Sequence, residues 1–302
     1  MNRLRLGWLP RGSEEEHVGE AVGDAGAGVG TARSGWTAAD TERVSCCLCK
    51  VDGLLVTDLA PFALVRCPVC DLRFISPRLT SEALQRLYDE PAYFEGGVYG
   101  TTTRHSPAMT LQRAWVGGRL DRIAQVRAAA PRGRLLEIGS GYGFFLEAAR
   151  NLGYDVAGVE LSHTGSAHSR TLGLDVFCGQ LEDAPIPTTG LYDVVCFWDT
   201  LEHVPDPLVF LRAVRARLAD DGVFALSVPY ISSVPGRLLG ARWWTLKPEQ
   251  HIWHFTPTTL RVLAARAGLV INSVVSSPLA RANVGRLDSL VAFGRALPAV
   301  GP

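Results

Sequence analysis

Residues 135–143, with the sequence LLEIGSGYG, run from an apolar strand into a glycine-rich turn that opens a helical pattern. Glycines at alternate positions let the backbone lie close to a nucleoside or amino-acid ligand, because a Cβ atom would block that approach. Glu160 lies twenty-one residues beyond Gly139 and ends the next apolar run, where its carboxylate can accept both hydroxyls of a ribose. The stretch therefore predicts a nucleoside-binding turn at the start of a βαβ unit.

Two residues distinguish this turn from a nicotinamide dinucleotide site, which is the obvious competing interpretation. Phe144 stands where a G-x-G-x-x-G turn requires its third glycine. Glu137 lies near the end of the first strand, where its negative charge would repel a pyrophosphate. An acid in this place suits a ligand that carries an ammonium and a sulfonium group, so we predict S-adenosylmethionine as the cofactor.

The chain after Pro131 alternates between short apolar runs and helical patterns. Near-continuous apolar strands separated by helices indicate a parallel sheet that is covered on both faces. The predicted strands are residues 135–138, 156–159, 194–197, 223–228 and 269–276, and the predicted helices are residues 144–152, 165–172, 207–218 and 258–267. The expected fold class is therefore α/β, with a doubly wound, mostly parallel, Rossmann-like sheet.

Four cysteines upstream of this sheet have the spacing of a metal site, Cys46-x2-Cys49, seventeen residues, then Cys67-x2-Cys70. Four thiolates complete a tetrahedron and leave no position for water, so the predicted ion is a structural zinc. The ion would supply most of the folding free energy of so small a unit, on the order of 10–16 kcal/mol. The alternative is a set of buried or redox-active cysteines. Cys47, inside the first CxxC turn, should point away from the ion.

Changes in composition divide the chain into five parts. We predict a disordered leader at residues 1–43, a zinc ribbon at 44–80, a helical cap at 81–130, a cofactor-binding domain at 131–276 and a tail with a short helix at 277–302. The leader contains eight glycines and no apolar periodicity, which is typical of a segment without a core.

The tail contains no alternating or continuous run of strand-forming residues. Leu287, Leu290, Val291 and Leu297 instead recur at near-helical spacings. We therefore predict a short amphipathic helix within residues 284–297 and a sheet that lacks a regular seventh strand. We rank a divergent or truncated end above membrane attachment, because one short helix with little net charge binds lipid only weakly.

Charge and cysteine content exclude several classes of protein. The 302 residues carry 30 basic and 30 acidic side chains, which argues against nucleic acid as the partner, since binding it usually needs a basic face. The sequence contains no apolar run long enough to span a membrane and no secretory signal. Seven cysteines are too few for a secreted disulfide scaffold, and Cys178 and Cys196 lie in strand-like segments, where we expect them in the core. A reducing, cytoplasmic location fits best.

Further motifs follow the glycine turn in a characteristic order. They are residues 158–160 (GVE), 179–183 (GQLED), 192–207 (YDVVCFWDTLEHVPDP), 222–229 (GVFALSVP) and 251–256 (HIWHFT). With the glycine turn, they resemble the class I S-adenosylmethionine-dependent methyltransferases, from about Cys46 to Val275. The chain is most similar to a bacterial branch with an N-terminal zinc ribbon, whose methyltransferase domain is similar to ubiquinone-biosynthesis O-methyltransferases.

The resemblance implies a role for each residue around the turn. Gly139, Gly141 and Gly143 should line the methionine and ribose portions of the cofactor. Glu137 should lie near its amino group, and Glu160 should bind the ribose diol.

The resemblance also implies residues for the two ends of the cofactor. Leu161 should pack beside the adenine, and Leu181 belongs to the same site. Gln180 stands where relatives commonly carry an acid that meets the adenine amino group, and its amide oxygen can substitute for that acid. Asp199, at the end of the fourth strand, should face the methionine end and the acceptor.

Two groups of side chains are candidates for the acceptor side. Asp199-x2-Glu202-His203 follows the fourth strand, and some quinone-pathway relatives hold a divalent cation with a similar cluster. The alternative, which we favour, is that Glu202 caps a helix and His203 bonds to the backbone. His251 and His254 are candidates for a general base, although a lone histidine is more often structural.

Aromatic residues flank this region in the sequence. A basic aromatic stretch, residues 242–247 (RWWTLK), can cover an acceptor ring or face a membrane or a partner. Tyr93, Phe94 and Tyr99 resemble the connector that closes over the cofactor in such enzymes.

The implied function is methyl transfer to a small molecule, most readily at oxygen, by a cytoplasmic enzyme with weak peripheral membrane contact at most. Two alternatives stay open. One is an RNA methyltransferase that grips its substrate with the zinc ribbon. The other is a non-catalytic module that binds the cofactor or a partner.

Overall fold

The computed structural model describes residues 35–89, 107–127, 132–185, 190–276 and 288–297. Most of the predicted leader lies outside these ranges, as do Tyr93, Phe94 and Tyr99 of the aromatic connector. Among the helices in these ranges, none is both long and apolar enough to cross a membrane.

Strands and helices alternate along most of the chain. The strands are β1 (Thr41–Glu42), β2 (Leu54–Leu59), β3 (Phe62–Arg66), β4 (Arg73–Ile75), β5 (Arg78–Leu79), β6 (Arg134–Ile138), β7 (Asp155–Glu160), β8 (Asp175–Cys178), β9 (Tyr192–Trp198), β10 (Leu218–Pro229), β11 (Trp253–His254), β12 (Leu269–Val275) and β13 (Ser289–Ala296). The helices are α1 (Ser81–Asp89), α2 (Pro107–Val126), α3 (Phe144–Asn151), α4 (His163–Thr171), α5 (Pro207–Arg217), α6 (Val234–Leu239) and α7 (Pro257–Arg266).

A seven-stranded sheet forms the centre of the larger domain, in the order β12-β13-β10-β9-β6-β7-β8. All neighbouring pairs from β10 to β8 are parallel, and β13 is antiparallel to both of its neighbours. Alternate residues of β9 enter different clusters, Val195 and Phe197 in one and Val194 and Cys196 in the other. Because successive strand residues point to opposite faces, the sheet is covered on both sides. The expected doubly wound, mostly parallel sheet is confirmed.

Side-chain caps fix where the helices after the strands begin. Ser162 Oγ accepts a hydrogen bond from the Gly165 amide before α4, at 3.2 Å. Asp206 Oδ1 accepts from two amides before α5, and Thr256 Oγ1 accepts from the Thr259 amide before α7. These caps satisfy amide groups that have no partner inside the helix, so the polar residue ahead of each apolar pattern sets the boundary.

The ribbon is not a separate unit. Its strands β2, β3 and β4 form an antiparallel sheet whose fourth strand is β11, which comes from the larger domain. The indole N–H of Trp253 donates to the Val204 carbonyl at 2.9 Å, and Arg78 donates to the Pro205 carbonyl at 2.9 Å. Buried ribbon residues share one apolar cluster with residues of α5, α7 and the large sheet. The two parts therefore share a core.

The prediction of a helical tail without a seventh strand is wrong. Within the described part of the tail, β13 pairs with β10 over seven residues and also with β12, so it is inserted between them. Leu290, Val291, Ala292 and Phe293 are all buried, because a strand between two others beneath helices is covered on both faces. Such a strand loses the polar–apolar alternation that marks a strand in the sequence, and its leucines then mimic a helical stripe.

The prediction of disorder up to residue 43 is also corrected at its C-terminal end. Thr41 and Glu42 form β1, which pairs antiparallel with β5. Asp40, just before β1, accepts a hydrogen bond from Arg86 of α1. The described secondary structure thus includes residues upstream of the first cysteine.

Candidate cofactor and acceptor site

Two glycines of the turn between β6 and α3 differ in the space beside them. Gly139 and Gly141 have φ angles of +71° and +54°, which side chains rarely adopt. A Cβ on Gly139 would lie 2.5 Å from Thr200 Oγ1, so this glycine is needed for packing within the protein. A Cβ on Gly141 would meet no described atom within 4 Å. The open space beside Gly141 fits a ligand that lies against the turn.

Glu160 is held against this turn by the backbone. Its Oε2 accepts from the Gly141 amide at 2.6 Å, and its Oε1 accepts from the Ser162 amide at 2.8 Å. Burial raises the pKa of Glu160, while the amide donors of Ser162, Gly141 and Leu161 oppose that rise. Each oxygen retains a lone pair beyond its amide bond, so the carboxylate can still accept from a hydroxyl at the open side.

Glu137 is a second buried acid beside the turn. Burial raises its pKa well above the ordinary value, and the nearby Arg119 opposes that rise. Its Oε2 atom is buried and makes no hydrogen bond to any residue that the structure describes. A buried acceptor of this kind is costly unless a donor reaches it. The site therefore fits a ligand that brings an ammonium group.

Arg119, which no sequence motif indicated, lies on α2 and is buried. Its Nη2 donates to Ser227 Oγ at 3.3 Å and lies 3.9 Å from Asp199 Oδ2. Its guanidinium group stacks over the indole ring of Trp198, 4.4 Å from the centroid. One signal could have revealed it: Trp115, Arg119 and Ile123 follow one another at four-residue spacing, so the arginine occupies the buried stripe of the helix.

Asp199 is fixed at the carboxyl end of β9 by the neighbouring strand. Its φ angle is +49°, an uncommon conformation for a residue with a side chain. Its amide donates to the Ser227 carbonyl at 2.9 Å, and Ser227 Oγ donates to Asp199 Oδ1 at 3.0 Å. The carboxylate thus lies beside Arg119, at the edge of the sheet where ligands of open α/β folds bind.

The three residues implied for the adenine end have different surroundings. Gln180 is exposed, and Leu161 is partly buried. Leu181 is buried in the core, and its carbonyl accepts from Arg217 at 2.6 Å. Their contacts with a cofactor remain predictions.

Glu202, His203 and His251 form a cluster that we call the acceptor cluster, after the role predicted for these residues. Their ligand atoms all lie within 4.8 Å of one another, a separation at which one metal ion could be held. His203 Nε2 is 3.8 Å from Glu202 Oε1, and His203 Nδ1 is 3.1 Å from the hydroxyl of Tyr88. The grouping of close ligand atoms among the described residues takes His251 and not Asp199 as its third member, and the helix cap of the alternative that we favoured is formed by Asp206, not by Glu202.

Both histidines of this cluster are neutral near pH 7. Burial lowers the pKa of His203 to about 4 and lowers that of His251 well below its ordinary value. His251 Nδ1 lies 2.7 Å from the Thr245 carbonyl, which can only accept, so this nitrogen carries the proton. His251 Nε2 is therefore left with a lone pair, as a general base requires.

His254 lies outside this cluster. It is on β11, opposite Arg73, and its side chain is fully buried. Neither of its ring nitrogens makes a hydrogen bond to a described residue, and burial lowers its pKa to about 3. The prediction that His254 is a general base stays a prediction, and its surroundings are those of a core residue.

We expect His254 to make the protein acid-sensitive. Its pKa rises from about 3 in the folded chain to about 6.5 on unfolding. Below pH 6.5 the unfolded chain binds a proton that the folded chain does not, so acidification favours unfolding, by roughly 3 kcal/mol at pH 4. Replacing His254 with Phe should therefore reduce the loss of unfolding free energy between pH 7 and pH 4, as measured by denaturant titration. A packing change caused by the substitution shifts the unfolding free energy of the variant equally at both pH values, so it does not alter the difference between pH 7 and pH 4. An equal pH-dependent loss in the natural chain and the variant would contradict the expectation.

The four predicted metal ligands lie together. The sulfurs of Cys46, Cys49, Cys67 and Cys70 are all within 4.8 Å of one another, and Cys46 Sγ is 3.6 Å from Cys70 Sγ. Sulfurs on a tetrahedral zinc at about 2.3 Å are separated by roughly 3.8 Å. The donor set and its spacing therefore fit a zinc ion.

Each cysteine pair is held by the same backbone turn. Lys50 and Asp71, one residue after each pair, have φ angles of +57° and +65°. Their amides donate back to the carbonyls of Cys46 and Cys67, at 2.8 and 3.1 Å. Cys47 is buried in the apolar core, which raises its pKa to about 12. It is not a member of the sulfur cluster, as predicted.

Comparison with known proteins agrees with this geometry. A family model described as a methyltransferase domain matches residues 110–274, more than half of the chain. A ubiquinone biosynthesis O-methyltransferase of Xanthomonas campestris pv. campestris (strain B100) is 35% identical over 115 residues, which are 36% of this chain and 48% of that protein. One of Ruegeria sp. (strain TM1040) is 28% identical over 167 residues, 51% of this chain and 67% of that protein. This chain thus spans about half the length of the first of these curated relatives.

A solved structure shows the same fold. The magnesium protoporphyrin IX methyltransferase of Synechocystis PCC 6803 aligns with a TM-score of 0.54 at 12% identity, over 72% of this chain and 100% of that one. At this identity the likeness concerns the fold alone. The family match, the order of the motifs and the mostly parallel sheet agree, and the chain belongs to the methyltransferase domain family.

Proposed function

We propose that this protein transfers the methyl group of S-adenosylmethionine to an oxygen atom of a small-molecule acceptor. The observation that carries the proposal is the 2.6 Å hydrogen bond from the Gly141 amide to Glu160, beside a turn that is open on its ligand side. Membership of the methyltransferase domain family supports the reaction type. Oxygen is supported by the relatives named O-methyltransferases.

The charges around the turn suit the amino-acid end of this cofactor. Glu137 offers a buried carboxylate oxygen to its ammonium group. Arg119 offers a guanidinium group to its carboxylate, and Ser227 and Asp199 hold that guanidinium in place. Glu160 would accept from the ribose hydroxyls. A ligand with both an ammonium and a carboxylate group complements the charges of Glu137 and Arg119 better than a ligand with phosphates does.

The main catalytic task of this site would be to align the acceptor with the methyl group of the cofactor. When bound, S-adenosylmethionine supplies a methyl group activated by the sulfonium, and the protein must hold the acceptor in line with it. Glu202, His203 and His251 lie together, and His251 Nε2, which retains a lone pair, would take the proton from an acceptor hydroxyl. Removal of this proton as the new bond forms is worth on the order of 10²–10⁴-fold in rate.

The ribbon would hold one zinc ion. Cys46, Cys49, Cys67 and Cys70 supply four sulfurs within 4.8 Å of one another, so the ion would have no open position and would be structural. All seven cysteines are free of disulfides, which suits the reducing cytoplasm.

The test is transfer of label from S-adenosylmethionine radiolabelled in its methyl group to a small-molecule extract of the host. We expect a labelled product with the natural protein. Glu160→Ala should weaken cofactor affinity by about 1–3 kcal/mol, because it leaves two ribose hydroxyls without their acceptor. Transfer should therefore fall at low cofactor concentration and recover at high concentration.

Glu147→Ala, on α3, is the matched control, and calorimetry reports the affinity directly. Unchanged affinity in Glu160→Ala would refute the cofactor assignment. Tight cofactor binding without labelled product from any extract would leave a non-catalytic module as the better description.

A further inference from the structure

The segment between β10 and β11 presents apolar side chains to solvent. Val234 and Leu238 of α6 are 67% and 79% exposed, and Trp244, just beyond the helix, is 49% exposed. Large apolar side chains gathered on one exposed surface mark an interaction site more often than single ones do. We call this the 234–247 surface.

The opposite face of the same segment is firmly held. Trp243 is buried, and its indole N–H donates to Asp288 Oδ2 at 2.9 Å. Thr245 Oγ1 donates to the same oxygen at 2.5 Å, and the Thr245 carbonyl contacts His251 of the acceptor cluster. Of the two adjacent tryptophans, Trp243 is buried and Trp244 is exposed. The hydrogen bonds of Trp243 and Thr245 therefore fix the backbone that carries the exposed apolar side chains, and the same backbone contacts His251.

The charges on this surface have one sign. Arg237, Arg242 and Lys247 are exposed, and residues 229–248 contain no Asp or Glu. This balance differs from that of the whole chain, in which acidic and basic residues are equal in number. Cations that surround leucine and tryptophan side chains complement a surface with anionic headgroups over an apolar interior.

We propose that the 234–247 surface docks onto the headgroup region of a bilayer that contains anionic lipid. Tryptophan is enriched at membrane interfaces, and the long stems of arginine and lysine let their charges reach the phosphates while the apolar side chains insert. Tryptophan and arginine also occur in protein interfaces. The feature that favours a membrane is the charge, because the segment carries three cations and no acidic residue, which complements anionic headgroups. The docked segment would bring the acceptor cluster next to the membrane.

The test is flotation of the full chain with lipid vesicles, without cofactor or acceptor. We use vesicles of phosphatidylcholine alone and vesicles of roughly two parts phosphatidylcholine to one part phosphatidylglycerol. Each cation near an anionic surface should contribute roughly fivefold in partitioning, so the anionic vesicles should bind about 100-fold more protein. Because the attraction is screened, binding should fall as salt is raised.

Two variants and one control define the surface. Leu238→Ser/Trp244→Ser and Arg237→Gln/Arg242→Gln should each lose at least tenfold in binding to anionic vesicles. Leu54→Ser/Leu55→Ser, which changes similarly exposed side chains on β2 (54% and 67% exposed), should bind as the natural chain does. Calorimetry with S-adenosylmethionine shows whether each variant keeps a folded domain.

Several outcomes would overturn the proposal. They are failure of the natural chain to float, equal binding to both kinds of vesicle, and equal loss in the β2 control. Absence of vesicle binding together with a stable complex formed through these residues with a host protein would assign the surface to that partner instead. Because the assay uses no cofactor, vesicle binding can stand even if methyl transfer is not observed.

Discussion

Cys67→Ser/Cys70→Ser should abolish the zinc binding that we propose for the ribbon and should destabilise the whole chain, not only the ribbon. Binding of zinc by four thiolates contributes on the order of 10–16 kcal/mol, as much as the entire unfolding free energy of a typical domain, about 5–15 kcal/mol. We expect the ribbon to unfold together with the larger domain, because β11 closes its sheet and its buried residues share a core with α7 and the large sheet. Elemental analysis should give one zinc per natural chain and none in the variant.

The unfolding transition separates a shared core from an independent ribbon. If the core is shared, denaturant titration followed by tryptophan fluorescence should show a large fall in the midpoint for the entire chain. Cys178→Ser is the matched control, since Cys178 lies on β8 outside the sulfur cluster, and it should keep its zinc and its midpoint. A double variant that retained one equivalent of zinc would refute the ligand assignment. A zinc-free variant with an unchanged midpoint for the large domain would refute the shared core.

Gly141→Val should reduce the affinity for S-adenosylmethionine by at least about 100-fold, or roughly 3 kcal/mol. The new side chain would enter the one part of the turn where a Cβ meets no described atom within 4 Å, and this is the space assigned to the ligand. The substitution also places a β-branched residue at a φ of +54°, which costs roughly 1–2 kcal/mol of stability. Calorimetry gives the loss of affinity and denaturant titration gives the loss of stability.

A second glycine separates these two effects. Gly153 has a φ of +92°, and a Cβ there would lie 3.7 Å from its nearest neighbour, a side-chain atom of Arg132. Gly153→Val should therefore cost similar stability without loss of affinity. Gly139→Val should instead destabilise the fold, because its Cβ would lie 2.5 Å from Thr200 Oγ1. Full affinity in Gly141→Val would show that the cofactor does not lie against the turn.

The features whose positions follow most directly from the sequence depend on short stretches of chain. The glycine turn and the two cysteine pairs are backbone turns of three to five residues, and a turn is specified by its own residues. The parallel strands were also found, because a strand buried on both faces is a short apolar run wherever its neighbours come from. The sequence alone therefore determined the fold class, the position of the glycine turn and the four-sulfur cluster, and the ligands of the turn and the cluster stay predictions.

Only the tertiary structure decided which distant side chains meet. Arg119 reaches Asp199 and Ser227 across 80 and 108 positions of the chain, and His251 joins Glu202 and His203 from a separate segment. The tail became a strand because β10 and β12 each left an edge that β13 could pair with, and this pairing outweighed the helical spacing of its leucines. The contacts of Arg119, the cluster that includes His251 and the pairing of β13 have the same physical reason. Hydrogen bonding and burial between distant segments depend on how the sheet is assembled, and no local pattern of residues records that assembly.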